Sequence, residues 1–375
     1  MNKRLYVDLH VLQTVPPSCV NRDDTGSPKT AVYGGVRRAR VSSQAWKRAM
    51  RTMFREELLN PEQMGERTKK VLQILAEEIQ RIAPEQEAEK LAKKAMEYVG
   101  LTPSKKNGND LDALFFLSHF QAKALASLIV EGSSDKKAYH DALEKAPSMD
   151  MALFGRMVAS DPSLNYDASA QVAHSISTHR VQNEYDYFTA VDDCAPEDKA
   201  GAGHLGTVEY NSSTLYRYAT VNLLELAGYL GKEDAVKAVE VFAEAFIRSM
   251  PTGKQNTFAN RTLPDVVYIT LRDDQPVNLC GAFEQAVPST ANGYVEASKQ
   301  RFVSYTEQVY ADYTGKPQIA FTVGKGWEGL AAPLSLRAML DELSKAVSQQ
   351  LGPCEVSLIL SRLVDTFISK ISLTM

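Results

Sequence analysis

The stretch GGVRRARVSSQAWKRAMR (Gly34–Arg51) changes its period halfway along. Up to Val41 it reads as a short β excursion that follows a glycine pair. Past Ser42 and Ser43, either of which is a helix N-cap type, the spacing becomes helical. On a wheel of about 100° per residue, Trp46, Ala49, Met50, Met53 and Phe54 share one side, while Lys47, Arg48, Arg51 and Arg55 share the other. The helix SQAWKRAMRTMFREELL is predicted to end near Asn60-Pro61. It has an apolar face to bury and a basic face to present.

Upstream, LYVDLHVLQ (5–13) alternates Leu5, Val7, Leu9 and Val11 against Tyr6, Asp8 and His10. Period two predicts a strand with one face on a core. The connecting TVPPSCVNRDDTGSPKT is rich in turn formers. Downstream, from about 61 to 147, ERTKKVLQILAEEIQRIA, EQEAEKLAKKAMEYVG, LDALFFLSHFQAKALASLIV and KKAYHDALEKA all read as helices, separated by linker-like segments. β-like patterning returns in DMALFGRMVA and AQVAHSISTHRV. NEYDYFTAVDDCAPEDKAGAGHLGTVEYNSS (183–213) looks like a long hairpin or flexible arm with little core of its own. TLYRYATVNLLEL and DVVYITL read as strands flanking the amphipathic helix KEDAVKAVEVFAEAFIRSM. The C-terminal third reads as mostly helical, notably SLRAMLDELSKAVSQQL and CEVSLILSRLVDTFISK. This order predicts an α+β core of ferredoxin-like type with insertions.

Composition narrows the function classes. The 375 residues, 44% hydrophobic and 23% charged, describe a soluble globular chain of one to three domains. A formal net charge of -4 gives no sign of a polyanion partner, so any such role rests on local clustering. Clustering is there: between Asp24 and Glu56 no acidic residue occurs, and eight basic ones do, namely Lys29, Arg37, Arg38, Arg40, Lys47, Arg48, Arg51 and Arg55. Cys19, Cys194, Cys280 and Cys354 are far apart with no CxxC pair, which disfavours a zinc ribbon or disulfide scaffold and fits a reducing compartment. Asp8, His10 and Gln13 interrupt any signal-peptide core near the start. His119, Gln121 and Lys123 make LFFLSHFQAKALASLIV (114–130) a buried helix rather than a membrane span. A cytoplasmic location is expected.

The basic helix is the strongest chemical signal. Lys and Arg along one side match a phosphate backbone in reach and sign. Ser42, Ser43 and Gln44 add polar donors beside the free N–H groups of the helix start. A basic face can instead pair with acidic residues of this or a neighbouring chain; the lack of acidic residues at helical spacing favours nucleic acid. Asp23 and Asp24, beside Arg22, could hold a metal and cut RNA, though such pairs more often cap a turn. In a strand, His174 and His179 fall on opposite faces, so no zinc site is expected. GKGWEG (324–329) lacks phosphate-loop spacing and reads as a turn. Tyr185, Tyr187 and Phe188 could wedge between bases, but a small hydrophobic anchor for the hairpin is the favoured reading.

PPSCVNRDDTGSPKTAVYGGVRRARVSSQAWKRAMR (16–51) resembles the N-terminal signature of the Cascade backbone subunit, the CasC family of type I-E CRISPR interference complexes. AHSISTHRVQNEYDYFTAVDD, GAGHLGTVEYNSSTLYRYATVNL and MPTGKQNTFANRTLPDVV resemble further segments of that family in the same order. The likeness runs from about residue 5 to 270. The helical block and the last hundred residues match only loosely.

The resemblance implies a modified RNA-recognition-motif (ferredoxin-like) palm at 1–60 and 165–375, a helical fingers insertion at 61–164, and a β-hairpin thumb at 181–213. Copies of such a subunit assemble along a guide crRNA. Each palm grips backbone, and each thumb flips one base and kinks the strand at intervals, leaving the rest free to pair with target DNA. Carried over position by position, the backbone contacts fall on Arg22, Lys29, Ser42, Gln44, Lys47, Arg48 and Arg51, with Lys254 as a further candidate. Thumb and kink contacts fall on Met157, Phe188 and Thr189. Val36 stands where the family often has a basic residue, so one phosphate contact is missing or moved. The implied subunit is no enzyme and uses no metal or cofactor. Its partners are the crRNA, target DNA, further copies of itself, other Cascade subunits and a recruited nuclease, with no membrane. A metal-dependent RNA-cleaving subunit using a loop Asp, and a generic α+β scaffold with a basic patch for a protein partner, are the competing expectations. The roles of Arg37, Arg38 and Arg40 stay open between RNA and a neighbouring subunit.

Overall fold

The computed structural model describes residues 4–101, 103, 104, 108, 110–190 and 204–352. In chain order, β1 (Tyr6–Ser18), β2 (Thr30–Tyr33), β3 (Val36–Val41) and α1 (Ser43–Met53) come first, α1 passing into a wider turn at Phe54–Leu58. β4 (Gly65–Thr68), α2 (Val71–Ile82), α3 (Ala88–Tyr98), β5 (Phe115–Ser118), α4 (His119–Val130), α5 (Lys136–Glu144) and α6 (Met149–Phe154) follow. Then come β6 (Ala170–Val172), β7 (Ser175–Ser177), β8 (Glu184–Ala190), β9 (His204–Asn222), α7 (Leu223–Leu230) and α8 (Lys232–Arg248). The described chain closes with α9 (Gln255–Phe258), β10 (Val266–Arg272), α10 (Val295–Val309), β11 (Ile319–Gly324) and α11 (Leu336–Gln350). The expected helix at 354–370 lies outside the described residues.

The chain divides into two compact units: Met1–Pro61 with Ala170–Val221 and Val241–Met339, and Glu62–Ser169 with Asn222–Glu240 and Leu340–Met375. The first is built on a sheet in the order β11-β10-β1-β9-β7-β3-β2, with β6 and β8 also pairing β9. β1 and β10 run antiparallel, Tyr6 opposite Arg272, as do β10 and β11 and the pairs β3–β7 and β7–β9. β1 departs from its expected half-exposed pattern. Asp8 and His10, on the polar side of the alternation, are buried along with Val7 and Leu9. The reason is a second layer. Phe302 of α10 packs on the His10 ring with centroids 5.6 Å apart, and Tyr216, Tyr268, Phe283 and Trp327 complete that side. The other side holds Trp46 of α1, whose indole donates to Ser175 Oγ at 2.9 Å. Arg217 lies 3.7 Å from the Trp46 ring centroid and also faces the Phe246 ring. Two polar acceptors, Gln13 Oε1 and the Phe246 carbonyl, hold this guanidinium in the core, where burial pulls its pKa down to about 9.

The stretch Gly34–Arg51 folds as its pattern demands. β2 and β3 pair Tyr33 with Val36, so Gly34 and Gly35 form a two-residue turn with φ of +57° and +76°. Gly34 is needed twice over, because a Cβ there would sit 1.7 Å from the Glu284 carbonyl oxygen. Ser42 is the cap: its Oγ accepts from Ala45 N–H at 3.3 Å and its own N–H donates to Asn21 Oδ1 at 2.9 Å. Trp46, Met50, Met53 and Phe54 are buried.

The second unit has its own core of Leu75, Ile79, Met96, Leu125 and Leu143. Two expected helices begin as strands. ERTKK enters α2 through β4, and LDALFFLS enters α4 through β5, paired Gly65 to Ser118. Ser118 makes the switch: its Oγ accepts from Gln121 N–H, and Gln121 Oε1 accepts from Ser118 N–H, a capping box that starts α4 there. DMALFGRMVA is helical in its first half rather than β. Gly155, at φ +78°, ends α6, and Arg156 then turns inward to donate to the carbonyls of Leu164, Phe116 and Leu143. Among the described residues no helix is long and apolar enough to cross a membrane.

Candidate nucleic-acid interface

An open groove of about 1060 Å³ runs across the first unit. One wall is the Val20–Lys29 loop and α1, and the other is Ser249–Arg261, remote in sequence. The two walls meet backbone to backbone: a Cβ on Gly253 would lie 2.1 Å from the Val20 carbonyl oxygen, so only glycine fits. The next residue, Lys254, adopts a left-handed φ of +50°, and Ala259 one of +46°, bracketing the single turn of α9. Such strained non-glycine backbone concentrates at functional sites.

The groove gathers Arg22, Lys29, Ser42, Gln44, Arg48 and Lys254 from the expected contacts, and adds Arg261. None of its five cations, Arg22, Lys29, Arg48, Lys254 and Arg261, makes an ion pair among the described residues. Four carboxylates also line it: Asp23, Asp24, Glu56 and Glu57. Two are engaged. Glu57 pairs with Arg248 at 3.0 Å. Asp23 Oδ1 accepts from Thr25 Oγ1 at 2.7 Å and from the N–H groups of Thr25 and Ser27 at 3.0 Å each, and the Thr25 hydroxyl foremost holds its pKa below the usual carboxylate range. Asp23 thus shapes the loop that presents Arg22. Among the described residues no group of three His, Cys, Asp or Glu is placed to hold a metal ion.

Lys47 and Arg51 stand on α1 but outside the groove lining, half-buried and engaged by other partners. The three arginines of β3 divide. Arg38 is fully buried and donates to the carbonyls of Tyr33, Ser177, Phe283 and Glu284 at 2.9–3.2 Å, so it is a structural anchor rather than a ligand contact. Arg40 donates to the Thr30 carbonyl and meets His174 Nδ1 at 3.0 Å. Burial first, then Arg40 and Lys29, hold the His174 pKa below its ordinary value. Arg37 is exposed and outside the groove lining.

The arm is a two-stranded ribbon in which Glu184 pairs with Tyr210 and Phe188 with Gly206. Its tip, 191–203, lies outside the described residues. Every residue of β8 is exposed, so among the described residues Tyr185 and Tyr187 anchor no hydrophobic cluster. The Phe188 ring lies across Gly206, where a Cβ would meet its Cζ at 2.5 Å. At the arm's base Tyr210 packs on Phe258 of α9, ring centroids 5.8 Å apart, which roots the arm at the groove rim. Met157, in the second unit, is 83% exposed. GKGWEG is a turn plugged by buried Trp327, whose indole donates to the Lys299 carbonyl. Sequence reasoning missed Arg261 and the whole second wall except Lys254; the signal was a second basic motif, PTGKQNTFANR, remote in sequence.

A family model described as CT1975-like protein matches residues 7–346. A solved chain from a "CRISPR RNA-guided surveillance complex, pre-nicking" is similar at 32% identity and TM-score 0.75, over 91% of this chain and 100% of that one. Another, from a "CRISPR RNA-guided surveillance complex", is similar at 29% identity and TM-score 0.58, over 90% and 99%. No curated protein matches.

Proposed function

The chain belongs to the CT1975-like Cas protein family, and from that premise we propose that it is the non-catalytic, guide-RNA-gripping backbone subunit of a type I-E Cascade complex. The observation that carries the reading is the groove, where two family-like motifs converge and five cations stand without ion pairs among the described residues. The complexes that hold the similar solved chains are RNA-guided, and this groove suits a single-stranded phosphate backbone. In such a complex base pairing reads the sequence, so the protein should hold backbone and shape. The groove residues are of that kind: Arg, Lys, Ser and Gln.

The sheet order supports an RNA-recognition-type palm. Taking β10-β1-β9-β7 as its centre, α1 falls between β1 and β7, and α8 between β9 and β10, which is the split βαβ pattern. The segment 61–164 serves as the fingers, and 181–213 as the thumb. The exposed Phe188, with Thr189, wedges beside a flipped base, and Met157 flanks the kink. Extruding a base costs a few kcal/mol per unstacked step, which contacts along the palm offset. Copies repeat along the crRNA in the cytoplasm and present the intervening bases to target DNA, and a recruited nuclease does the cutting. Asp23 is committed to its own loop, so the cleavage reading draws no support from it.

Assembly on a guide RNA tests this. Complexes carrying Arg22→Glu, Arg48→Glu and Lys254→Glu together should purify without guide RNA, read as a fall in the absorbance ratio at 260 and 280 nm. Unchanged RNA occupancy would sink the proposal.

A further inference from the structure

The two strands of the arm leave the sheet out of step. Their last regular rung in the sheet joins Thr178 N–H to the Thr214 carbonyl at 2.8 Å, and their first rung in the arm pairs Glu184 with Tyr210. Six steps separate 178 from 184, and four separate 214 from 210, so the root is bulged by two residues, and bulges bend the strand that carries them. His179 fills this gap and is 5% exposed. Its Nε2 accepts from Thr214 N–H at 3.1 Å. A backbone N–H can only donate, so Nε2 carries no proton, and Nδ1 must be the N–H that donates to the Arg180 carbonyl at 2.8 Å. The ring stacks on Tyr294 with centroids 3.6 Å apart, and the His179 carbonyl accepts from Ser177 Oγ at 2.6 Å.

We propose that His179 is a positioning residue for the arm, a latch whose neutral imidazole ties the outgoing strand to the returning one and sets the angle at which the arm leaves the sheet. Both ring nitrogens are used, one on each strand, and the ring plane is fixed by Tyr294. The latch works in one protonation state. An imidazolium would point a second N–H at that of Thr214 and break the link to β9. Against the ring, the Tyr294 face and the Arg180 carbonyl favour a positive charge, and burial together with the Arg38 charge outweighs them. Burial first, and Arg38 after the opposing Arg180 carbonyl, keep the His179 pKa below its ordinary 6.5. Acidification therefore loosens the arm root. That the latched arm serves RNA gripping rests on the function proposed above; the latch itself does not.

Hydrogen exchange of the free chain tests the latch without RNA. His179→Phe keeps the stack on Tyr294 and removes both bonds. Protection of amides 184–190 and 206–212, corrected for intrinsic rates, should fall about tenfold in the variant at pH 7.5, the scale of the one buried hydrogen bond, to Thr214, that links the two strands. In the wild type it should fall similarly on going to pH 5, and in the variant it should not change further. Equal protection in a folded variant overturns the proposal. Should the variant not fold, the wild-type imidazole nitrogen shifts decide: an Nδ1–H tautomer that titrates below pH 6.5 supports the latch, and an Nε2–H tautomer or an imidazolium at pH 7 overturns it. A chain that shows the latch but binds no RNA refutes the RNA reading alone.

Discussion

Replacing Arg48 by Gln removes one of the five groove cations, Arg22, Lys29, Arg48, Lys254 and Arg261, while leaving the buried face of α1 untouched. Each cation that meets a phosphate of a single strand adds about -0.7 to the slope of log K against log salt. All five engaged predict a wild-type slope near -3.5, a loss of roughly 100-fold in affinity between 50 and 200 mM KCl. Arg48→Gln should flatten the slope to about -2.8, and Arg48→Gln with Lys254→Gln to about -2.1. At 100 mM salt the single variant should bind about tenfold more weakly, the scale of one charge-assisted contact. Fluorescence anisotropy with a labelled single-stranded RNA of unrelated sequence measures both quantities. Arg37→Gln is the control, because Arg37 is exposed on β3 yet outside the groove lining. A wild-type slope shallower than about -1, or an Arg37 variant that flattens the slope as much as the Arg48 variant, would refute the assignment of RNA to this groove.

Arg38→Met should leave four carbonyls facing an apolar side chain and cost about 3 kcal/mol in urea unfolding, through unsatisfied buried acceptors rather than lost charge; a variant as stable as wild type would contradict its structural role. Gly34→Ala meets both a positive φ and the Glu284 carbonyl, so it should destabilise by more than about 2 kcal/mol, whereas Gly26→Ala, at φ +90° with open space around it, should carry the backbone cost alone. Burial lifts the Asp8 pKa to about 6 from 3.8, so protonation stabilises the fold by about 1 kcal/mol as pH falls from 7 to 5. Burial depresses His10 to about 3 from 6.5, which works the other way and removes about 2 kcal/mol over the same interval. Asp8→Asn deletes only the first effect, so its Tm should drop more steeply than that of wild type between pH 7 and 5, and parallel curves would show that Asp8 does not titrate as described.

Local pattern made much of the molecule legible. The period change at Ser42, the glycine pair before β3, and the two-faced helix are near-neighbour effects, written in residues three or four apart, and the structure contains each of them. The same logic failed at LFFLSHF, where apolar residues run without interruption. A run of that kind cannot distinguish strand from helix, and the capping box at Ser118 decides the boundary.

Charge shows the limit most plainly. The sequence alone determined that eight basic residues follow one another without an acidic one, and which of them share a helix face. Only the tertiary structure decided that Arg38 is sealed under the Phe283–Glu284 backbone and Arg37 is exposed, although they are neighbours in β3. It also brought Lys254 and Arg261 across from Arg22 and Arg48, and covered the polar side of β1 so that Asp8 and His10 became core residues. Periodicity states which residues share a face, because the backbone sets that over a few residues. What lies over the face is supplied by segments hundreds of positions away, and that covering layer determines which charges remain in water to meet a ligand.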